Sequence, residues 1–406
     1  MAQTTMPAVE ESPVKTETKK ASRLFFADHL RAALVILVVL HHVALVYGAS
    51  VQGYYYVEPP LESPKAFRDL MVFVLFNQGW FMGAFFLLAG YFSPGSYDRK
   101  GAASFVKDRL IRLGIPLIVF YFVLSPISFI GWFLMPSTLT GITQPLTWQS
   151  FWQLYPDIVG LGPTWFLALL LIFSSVYAAL RLGTKSISGD KPISPSTPKL
   201  LGIGLFILLL ALASYLFRNI VPIGESVWDF PTLAYLPQYL AFYILGIAAF
   251  HRDWFRTLPN VLGVVGFVAA MAAAIILFPL AFSGQWFSVE LSDQMGNAMG
   301  NGHWQSAVYA LWDSMFAVGM VLASITFFRT FLNKDGKFGR FLSQQSYAVY
   351  IIHIPIIVYA AYGLRSMDLQ TVPKFIVVSL LIVPVCYIAA WLLRKIRSGG
   401  PKGIST

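Results

Sequence analysis

Long apolar stretches separated by short polar segments make up most of the chain beyond its first 23 residues. A helix rises 1.5 Å per residue, so a stretch of about 20 residues can cross a hydrocarbon core of about 30 Å. The pattern predicts ten transmembrane helices, each with boundaries uncertain by a few residues. The predicted segments are Leu24–Ala49, Leu70–Phe92, Leu113–Met135, Thr164–Leu182, Leu200–Phe217, Pro231–Phe250, Leu258–Phe282, Ser306–Phe328, Phe341–Tyr362 and Phe375–Leu393.

The composition agrees with this hydrophobic pattern. Of the 406 residues, 57% are hydrophobic and only 12% are charged, whereas a soluble domain has about 25% charged residues. This excludes a soluble globular enzyme and a disordered chain, and the single cysteine, Cys386, excludes a disulfide scaffold. The predicted fold class is all-α: a polytopic membrane protein with a bundle of about ten transmembrane helices.

The formal net charge of +10 is distributed over alternate loops. Lys and Arg cluster after the second, fourth, sixth and eighth segments and in the C-terminal tail, whereas the intervening loops are mainly acidic. By the positive-inside rule, both termini are predicted to be cytoplasmic. No single segment carries the concentrated basic patch that nucleic acid requires, so we expect no nucleic-acid partner. We expect a multi-pass protein of the plasma (cytoplasmic) membrane, embedded in the lipid bilayer.

The chain divides into one membrane domain and two tails. Residues 1–23 are polar and rich in Lys, Glu, Thr and Ser, which predicts a disordered cytoplasmic tail. Residues 24–393 form the transmembrane domain, and residues 394–406 form a short basic cytoplasmic tail.

The first span carries ionisable residues, which are costly inside a membrane and therefore candidates for function. On a continuous helix, Arg31 and His42 differ by only about 20° in direction, and Asp28 lies about 40° from His42. These three residues are predicted to form one polar stripe, with His41 pointing elsewhere. Arg31 and Asp28 could instead simply pair near the cytoplasmic interface. His42 lies about 16 Å further along the helix, where a neutral imidazole can act as a general base.

A second polar feature precedes the third span in the segment KDRLIRLGIP. Arg109 and Arg112 are three residues apart and are predicted to share one helix face. Guanidinium groups bind phosphates through paired hydrogen bonds, so this pair suits a phosphorylated cytosolic ligand. Basic residues at a cytoplasmic helix end are also ordinary topology markers, and the spacing alone leaves both interpretations open.

Polar residues also occur in three later spans. Ser346, Tyr350 and His353 share one face of the ninth span, where catalysis and buried packing are equally compatible with the pattern. Asp313 in the eighth span is a candidate counter-ion for an Arg or a His. Trp165 opens the fourth span and is compatible with an aromatic belt at the membrane interface.

Taken together, these segments resemble the acyltransferase-3 family of integral membrane O-acyltransferases. The matching elements occur in family order from about residue 24 to residue 393. The second- and third-span segments look most like the branch that includes glucan-biosynthesis protein C, a succinyltransferase of periplasmic glucans. The elements are DHLRAALVILVVLHH, NQGWFMGAFFLLAGYF, FVKDRLIRLGIPL, GPTWFLALLLIFS and SYAVYIIHIPI.

The resemblance implies transfer of an acyl group from cytosolic acyl-CoA to a hydroxyl group, often on a carbohydrate or a lipid-linked acceptor, at the far membrane face. The first-span Arg and His of the family fall on Arg31 and His42, and its R-x-x-R pair falls on Arg109 and Arg112. His41 is an additional histidine directly before the expected one. Acyl-CoA would be a co-substrate, with no permanently bound cofactor and no metal. Any second-step transferase would be a separate extracytoplasmic partner enzyme.

The mechanism expected from these residues is general base catalysis by His42, with Asp28 and Arg31 balancing charge below it and Arg109 and Arg112 holding CoA phosphates. Direct transfer is favoured because no serine or cysteine lies beside His42 in the sequence. Two alternatives remain: a transporter or flippase for an acidic or lipid-linked substrate, whose permeation path these charges would line, and a membrane sensor or scaffold without turnover.

Overall fold

A computed structural model describes residues 23–47, 54–58, 64–183, 196–283 and 296–398. Within these residues the regular structure is helical, and the only β-type pairing is an isolated bridge between Val227 and Phe230. Among the described residues, ten helices are long and apolar enough to cross a membrane. The predicted all-α polytopic fold is therefore confirmed.

We label the ten spans α1 to α10 in chain order; α2 is interrupted at Gly79 and Trp80. A 3₁₀ turn precedes α4 at Gly162–Thr164 and precedes α6 at Leu233–Tyr235. Short helices lie outside the spans at Ser137–Thr140, Trp148–Ile158 and Trp254–Thr257. The spans are α1 Phe25–Val46, α2 Pro64–Gln78 with Phe81–Lys100, α3 Ala102–Phe133, α4 Trp165–Gly183, α5 Leu200–Arg218, α6 Leu236–His251, α7 Asn260–Ala281, α8 Trp304–Phe331, α9 Lys337–Gly363 and α10 Thr371–Ser398.

Several helices continue beyond the apolar segments predicted for them. α9 begins at Lys337 rather than Phe341, and α10 continues to Ser398. The first residues of the predicted C-terminal tail, 394–398, are therefore helical, while residues 399–406 lie outside the described residues. The predicted N-terminal tail also lies outside the described residues, apart from Arg23.

The helix ends and connecting segments gather at two opposite faces of the bundle. One face, which we call the basic face, contains the start of α1 and the end of α8, where His29 Nδ1 donates to the carbonyl oxygen of Leu332 at 2.6 Å. At the other, which we call the acidic face, the backbone N–H of Leu161 donates to Asp229 at 2.6 Å. That the basic face is cytoplasmic remains a prediction from the charge pattern.

Two prolines explain an irregularity in α3, which contains π turns at Leu110–Gly114 and Phe120–Leu124. Pro116 and Pro126 have no N–H group, so each leaves the carbonyl oxygen four residues earlier without its helical donor. Tyr347 donates its hydroxyl to the freed carbonyl of Arg112, and Tyr155 donates to that of Phe122 at 2.6 Å. Such π turns often occur at functional sites, and the first of the two, Leu110–Gly114, includes Arg112.

Glycines allow α2 and α6 to pack with their backbones in contact. A Cβ atom on Gly90 would lie 2.1 Å from the carbonyl oxygen of Tyr243, and one on Gly246 would lie 2.2 Å from that of Leu87. Close approach through small residues is common between membrane helices. This contact brings Tyr243 against Ser93, with 3.1 Å between their hydroxyl oxygens.

Candidate active site

A cavity of about 700 Å³ lies in the half of the bundle nearest the acidic face. Its inner end is lined by His41 and His42 from α1, together with Gln78 and Tyr350. Its outer end is lined by the exposed residues Asp157 and Asp229 in the connecting segments. The cavity is large enough for a small ligand or for one end of a larger one.

His42 is held in this cavity by Tyr54. The Nδ1 atom of His42 lies 3.0 Å from the Tyr54 hydroxyl oxygen, which in turn lies 3.4 Å from the carbonyl oxygen of His42. Both contacts are satisfied when Nδ1–H donates to Tyr54 and the Tyr54 hydroxyl donates to the carbonyl. Burial raises the pKa of Tyr54 well above its ordinary value, so the phenol is neutral. The arrangement leaves Nε2 of His42 with a lone pair that can accept a proton.

The backbone around Tyr54 is anchored to three helices. The indole Nε1–H of Trp132 in α3 donates to the carbonyl oxygen of Tyr54 at 2.7 Å. Glu58 forms a buried ion pair with Lys374 in α10, and the Glu58 N–H donates to Val46, the last residue of α1, at 2.9 Å. These contacts fix the position of Tyr54, and through it the ring of His42.

His41 also lines the cavity, so the expectation that it points away from His42 is wrong. Its ring stacks on Phe81 at a centroid distance of 5.3 Å and lies 5.5 Å from the ring of His42. The side chain is only 8% exposed, and Nδ1 has no hydrogen-bond partner among the described residues. Adjacent residues of a helix project about 100° apart. The cavity nevertheless extends far enough around α1 to include the side chains of both His41 and His42.

His353 in α9 lies directly beside His42, with 4.9 Å between the ring centroids. Its Nδ1–H donates to the carbonyl oxygen of Tyr350 at 2.8 Å, which leaves Nε2 as an acceptor. That Nε2 atom is buried and has no partner among the described residues. Helical spacing offers no reason to pair His353 with His42, because the two residues lie on helices at opposite ends of the chain.

The other two residues predicted on this face of α9, Ser346 and Tyr350, form structural hydrogen bonds. Ser346 donates its hydroxyl to the carbonyl oxygen of Leu342 at 2.8 Å, within the same helix. Tyr350 donates its hydroxyl to the carbonyl oxygen of Pro163, in the turn before α4. Tyr350 therefore joins α9 to the wall of the cavity, whereas the Ser346 hydroxyl is hydrogen-bonded within its own helix.

The turn before α4 needs a glycine at position 162. Gly162 has φ +44°, and a Cβ atom there would lie 2.2 Å from the hydroxyl oxygen of Tyr55. The turn directs Trp165 into the cavity wall, where it stacks on Tyr239 at 5.3 Å and is 7% exposed. The interpretation of Trp165 as an interfacial belt residue is therefore wrong.

Asp28 and Arg31 lie near the basic face and do not continue the stripe to His42. Asp28 accepts from Arg23 at 2.9 Å and from Arg31 at 3.3 Å, and the Arg31 side chain is 40% exposed. The guanidinium group of Arg31 lies over the ring of Phe92. Arg31 does not line the cavity, and the buried residues Leu34 and Val35 occupy the next turn of α1.

Arg109 and Arg112, which the spacing predicts on one helix face, have different environments. Arg112 is 69% exposed and pairs with Asp108 at 2.9 Å. Arg109 is partly buried, lies over the ring of Phe105, and keeps an Nε atom without a partner among the described residues. The π turn that begins at Leu110 separates the two directions, because it rotates the helix less per residue. Arg109 therefore keeps a buried donor without a partner among the described residues, whereas the Arg112 side chain is largely exposed.

Asp313 is the counter-ion of Arg218. Arg218 closes α5, is fully buried, and forms an ion pair with Asp313 in α8. Its guanidinium group lies 4.8 Å from the ring centroid of Tyr235, which lines the cavity. The sequence pattern missed Arg218, because it follows the apolar segment directly and looks like a residue of the loop. Among the described residues, no group of three or more His, Cys, Asp or Glu side chains is arranged as a metal site.

Comparison with curated proteins finds relatives named glucans biosynthesis protein C. The chain is 23% identical over 350 residues to glucans biosynthesis protein C of Escherichia coli O17:K52:H18, covering 83% of this chain and 82% of that protein. It is 24% identical over 353 residues to the Shigella dysenteriae serotype 1 protein of the same name, with the same coverage. No solved structure matches the chain significantly.

A family model extends the similarity along nearly the whole chain. The acyltransferase domain of the acyltransferase-3 family matches residues 24–391, a range that contains all ten spans except the end of α10. The match includes His41 and His42 of α1, the arginines of α3 and the polar face of α9. The chain belongs to this family and is a multi-pass membrane acyltransferase.

Proposed function

We propose that this protein transfers an acyl group of the acetyl or succinyl class from acyl-CoA, bound at the basic face, to a hydroxyl group of a glycan or other acceptor at the acidic face. The observation that carries the proposal is the position of His42. It lies beside His353 in a cavity whose outer end is at the acidic face. The names of the relatives, which refer to glucan biosynthesis, support a glucan as the acceptor.

In the proposed reaction, His42 acts as the general base. The acceptor oxygen attacks the carbonyl carbon of the thioester while Nε2 of His42 takes the hydroxyl proton. The carbon–sulfur bond then breaks, and the departing thiolate takes that proton from His42. A positioned base typically accelerates such a step by about 10²–10⁴-fold.

The neighbouring histidines have complementary proposed roles. His353 offers Nε2 as an acceptor beside His42 and would accept a hydrogen bond from the protonated His42 ring. His41 lines the same cavity and would donate to the carbonyl oxygen as negative charge develops there.

The donor would be held at the basic face. Arg109 has an unpartnered Nε atom, and Arg31 lies on the same half of the bundle against Phe92 in α2. The acyl chain must then pass the part of α1 between Arg31 and Val38, which is about 10 Å long. Leu34 and Val35 are buried there, so we expect the helices around α1 to separate when the donor enters.

The experiment that tests this proposal uses the full chain reconstituted in lipid nanodiscs. Acetyl-CoA or succinyl-CoA is supplied with an uncharged gluco-oligosaccharide, and ester products are measured by mass spectrometry. We expect an O-acylated glucan and free CoA from the wild type and a large loss with His42→Ala. CoA binding without any acylated product from either donor would contradict the proposal and favour transport.

A further inference from the structure

The acidic end of the cavity has a charge pattern that the proposed chemistry does not use. Asp157 and Asp229 are the only Asp, Glu, Lys or Arg residues among the described residues that line the cavity. Both are exposed. The segments 59–63, between α1 and α2, and 284–295, between α7 and α8, contain acidic residues but no Lys or Arg. Among the described residues, an acceptor that enters from this face therefore meets two carboxylates and no Lys or Arg along the wall.

Asp229 is held at this position by the fold. Trp228 and Asp229 both adopt positive φ angles, 49° and 66°, which residues other than glycine rarely adopt. Asp229 Oδ2 accepts the backbone N–H of Leu161 at 2.6 Å. This hydrogen bond joins the segment before α6 to the turn before α4, so the carboxylate is fixed at the cavity rim.

The cavity also contains a polar atom without a protein partner. His41 is more than nine-tenths buried, lines the cavity, and has no partner for Nδ1 among the described residues. A buried polar atom of this kind requires a hydrogen bond from a ligand or from water. Gln78 lines the same wall and donates to the Tyr239 hydroxyl at 2.8 Å. The His41 nitrogen can therefore form a hydrogen bond with a hydroxyl group of a bound ligand.

We infer that Asp157 and Asp229 select the acceptor by charge, so that the cavity admits an uncharged polyol and excludes one that carries a carboxylate. This inference rests on the proposed function for the identity of the ligand as the acceptor. Like charges at contact distance repel, and the repulsion is weakened by salt. For a succinyl donor, the product carries a new carboxylate, and the same repulsion favours its release from the cavity.

The test measures binding rather than transfer, so that it is independent of the catalytic proposal. The full chain in nanodiscs is titrated by microscale thermophoresis with a neutral gluco-oligosaccharide and with the same oligosaccharide carrying one succinyl half-ester. At low salt, we expect the neutral ligand to bind about 5- to 50-fold more tightly. The difference should decrease at high salt because the charges are screened.

The variant that removes the charge is Asp157→Asn combined with Asp229→Asn. Asparagine keeps an oxygen that accepts from Leu161 N–H, and thermal unfolding checks that the fold is retained. We expect the two ligands to bind this variant with similar affinity. The matched control, Asp368→Asn, changes an exposed carboxylate that does not line the cavity and should keep the wild-type ratio.

If the double variant does not fold, Asp157→Asn alone should reduce the ratio of the two affinities, though by less than expected for the double variant. Equal binding of both ligands to the wild type would overturn the inference. An unchanged ratio in the double variant, or binding of neither ligand, would do the same. Discrimination by charge without any acyl transfer would support this inference while contradicting the proposed function.

Discussion

The rings of His42 in α1 and His353 in α9 lie side by side, with 4.9 Å between their centroids, at the inner end of a cavity of about 700 Å³. His42 is fixed by Tyr54, and His353 is fixed by the carbonyl oxygen of Tyr350. Each ring thereby keeps one nitrogen as an acceptor. Two neutral imidazoles that can share one proton suit a step in which a hydroxyl proton is removed and then returned.

The first prediction concerns the coupling of these two histidines. His42→Ala should lower the transfer rate by about 10²–10⁴-fold. His353→Ala alone should lower the transfer rate by a smaller factor. Added to His42→Ala, it should have almost no further effect, because His353 acts through His42. The measurement is a double-mutant cycle on kcat.

The control for this cycle is His303→Ala, which changes an exposed histidine before α8. It should leave the rate unchanged. Independent, additive losses for His42 and His353 would contradict a shared proton.

The second prediction separates His41 from His42. If His41 donates to the developing oxyanion, His41→Gln should keep part of the activity lost in His41→Ala, because an amide also donates a hydrogen bond. His42→Gln should remain as inactive as His42→Ala, because an amide is not a base. The measurement compares transfer rates at matched expression and thermal stability. Activity in His42→Gln equal to that of the wild type would rule out base catalysis by His42.

The third prediction concerns Arg109 and Arg112. Arg109→Ala should weaken acyl-CoA binding by about 1–3 kcal/mol, through loss of a charge-assisted phosphate contact. Arg112→Ala should cost at most about 1 kcal/mol, because Arg112 is exposed and already paired with Asp108. Calorimetric titration of CoA measures both affinities.

Arg109→Lys is the control that keeps the positive charge but removes the forked donor geometry, and we expect an intermediate affinity. Equal losses for Arg109→Ala and Arg112→Ala would show that the two residues act as one site despite their different environments.

The fourth prediction concerns Gly162. Gly162→Ala should destabilise the turn before α4 by about 1–3 kcal/mol, because an alanine is strained at φ +44°. Its Cβ would also lie 2.2 Å from the Tyr55 hydroxyl oxygen, so the cavity wall must move. Thermal unfolding and acceptor KM are the measurements.

Gly204→Ala is the matched control, since a Cβ there meets nothing within 4 Å. It should be neutral or slightly stabilising, because alanine favours a helix. A Gly162→Ala variant with wild-type stability and KM would show that the turn adapts without affecting the cavity.

The fifth prediction concerns the buried pair of Arg218 and Asp313. Asp313→Ala should destabilise the protein by about 3–5 kcal/mol, because it leaves a buried charge without its partner. Replacing both residues, with Arg218→Met and Asp313→Leu, should recover most of that loss. Unfolding of the detergent-solubilised protein measures both variants.

Asp335→Ala is the comparison at the surface, since Asp335 pairs with Arg340 and both side chains are well exposed. It should cost at most about 1 kcal/mol. Failure of the double replacement to recover stability would show that Arg218 has a further role beside Tyr235.

The apolar segments by themselves determined the number and order of the spans, because the bilayer requires about 20 apolar residues for each crossing. Helical spacing also showed that Ser346, Tyr350 and His353 share a face. Spacing could not show what that face meets. Whether Tyr350 supports a turn and His353 meets His42 depends on how α9 packs against α1 and α4.

Tertiary structure alone decided which polar residues belong together. A single-helix projection joined Arg31 to His42, yet packed side chains of α1 lie between them, whereas His353 reaches His42 from the other end of the chain. In the same way, the tertiary structure pairs Asp313 with Arg218 in α5. Periodicity gives only the direction of a side chain around its own helix; the neighbour in that direction is set by contacts between helices distant in sequence.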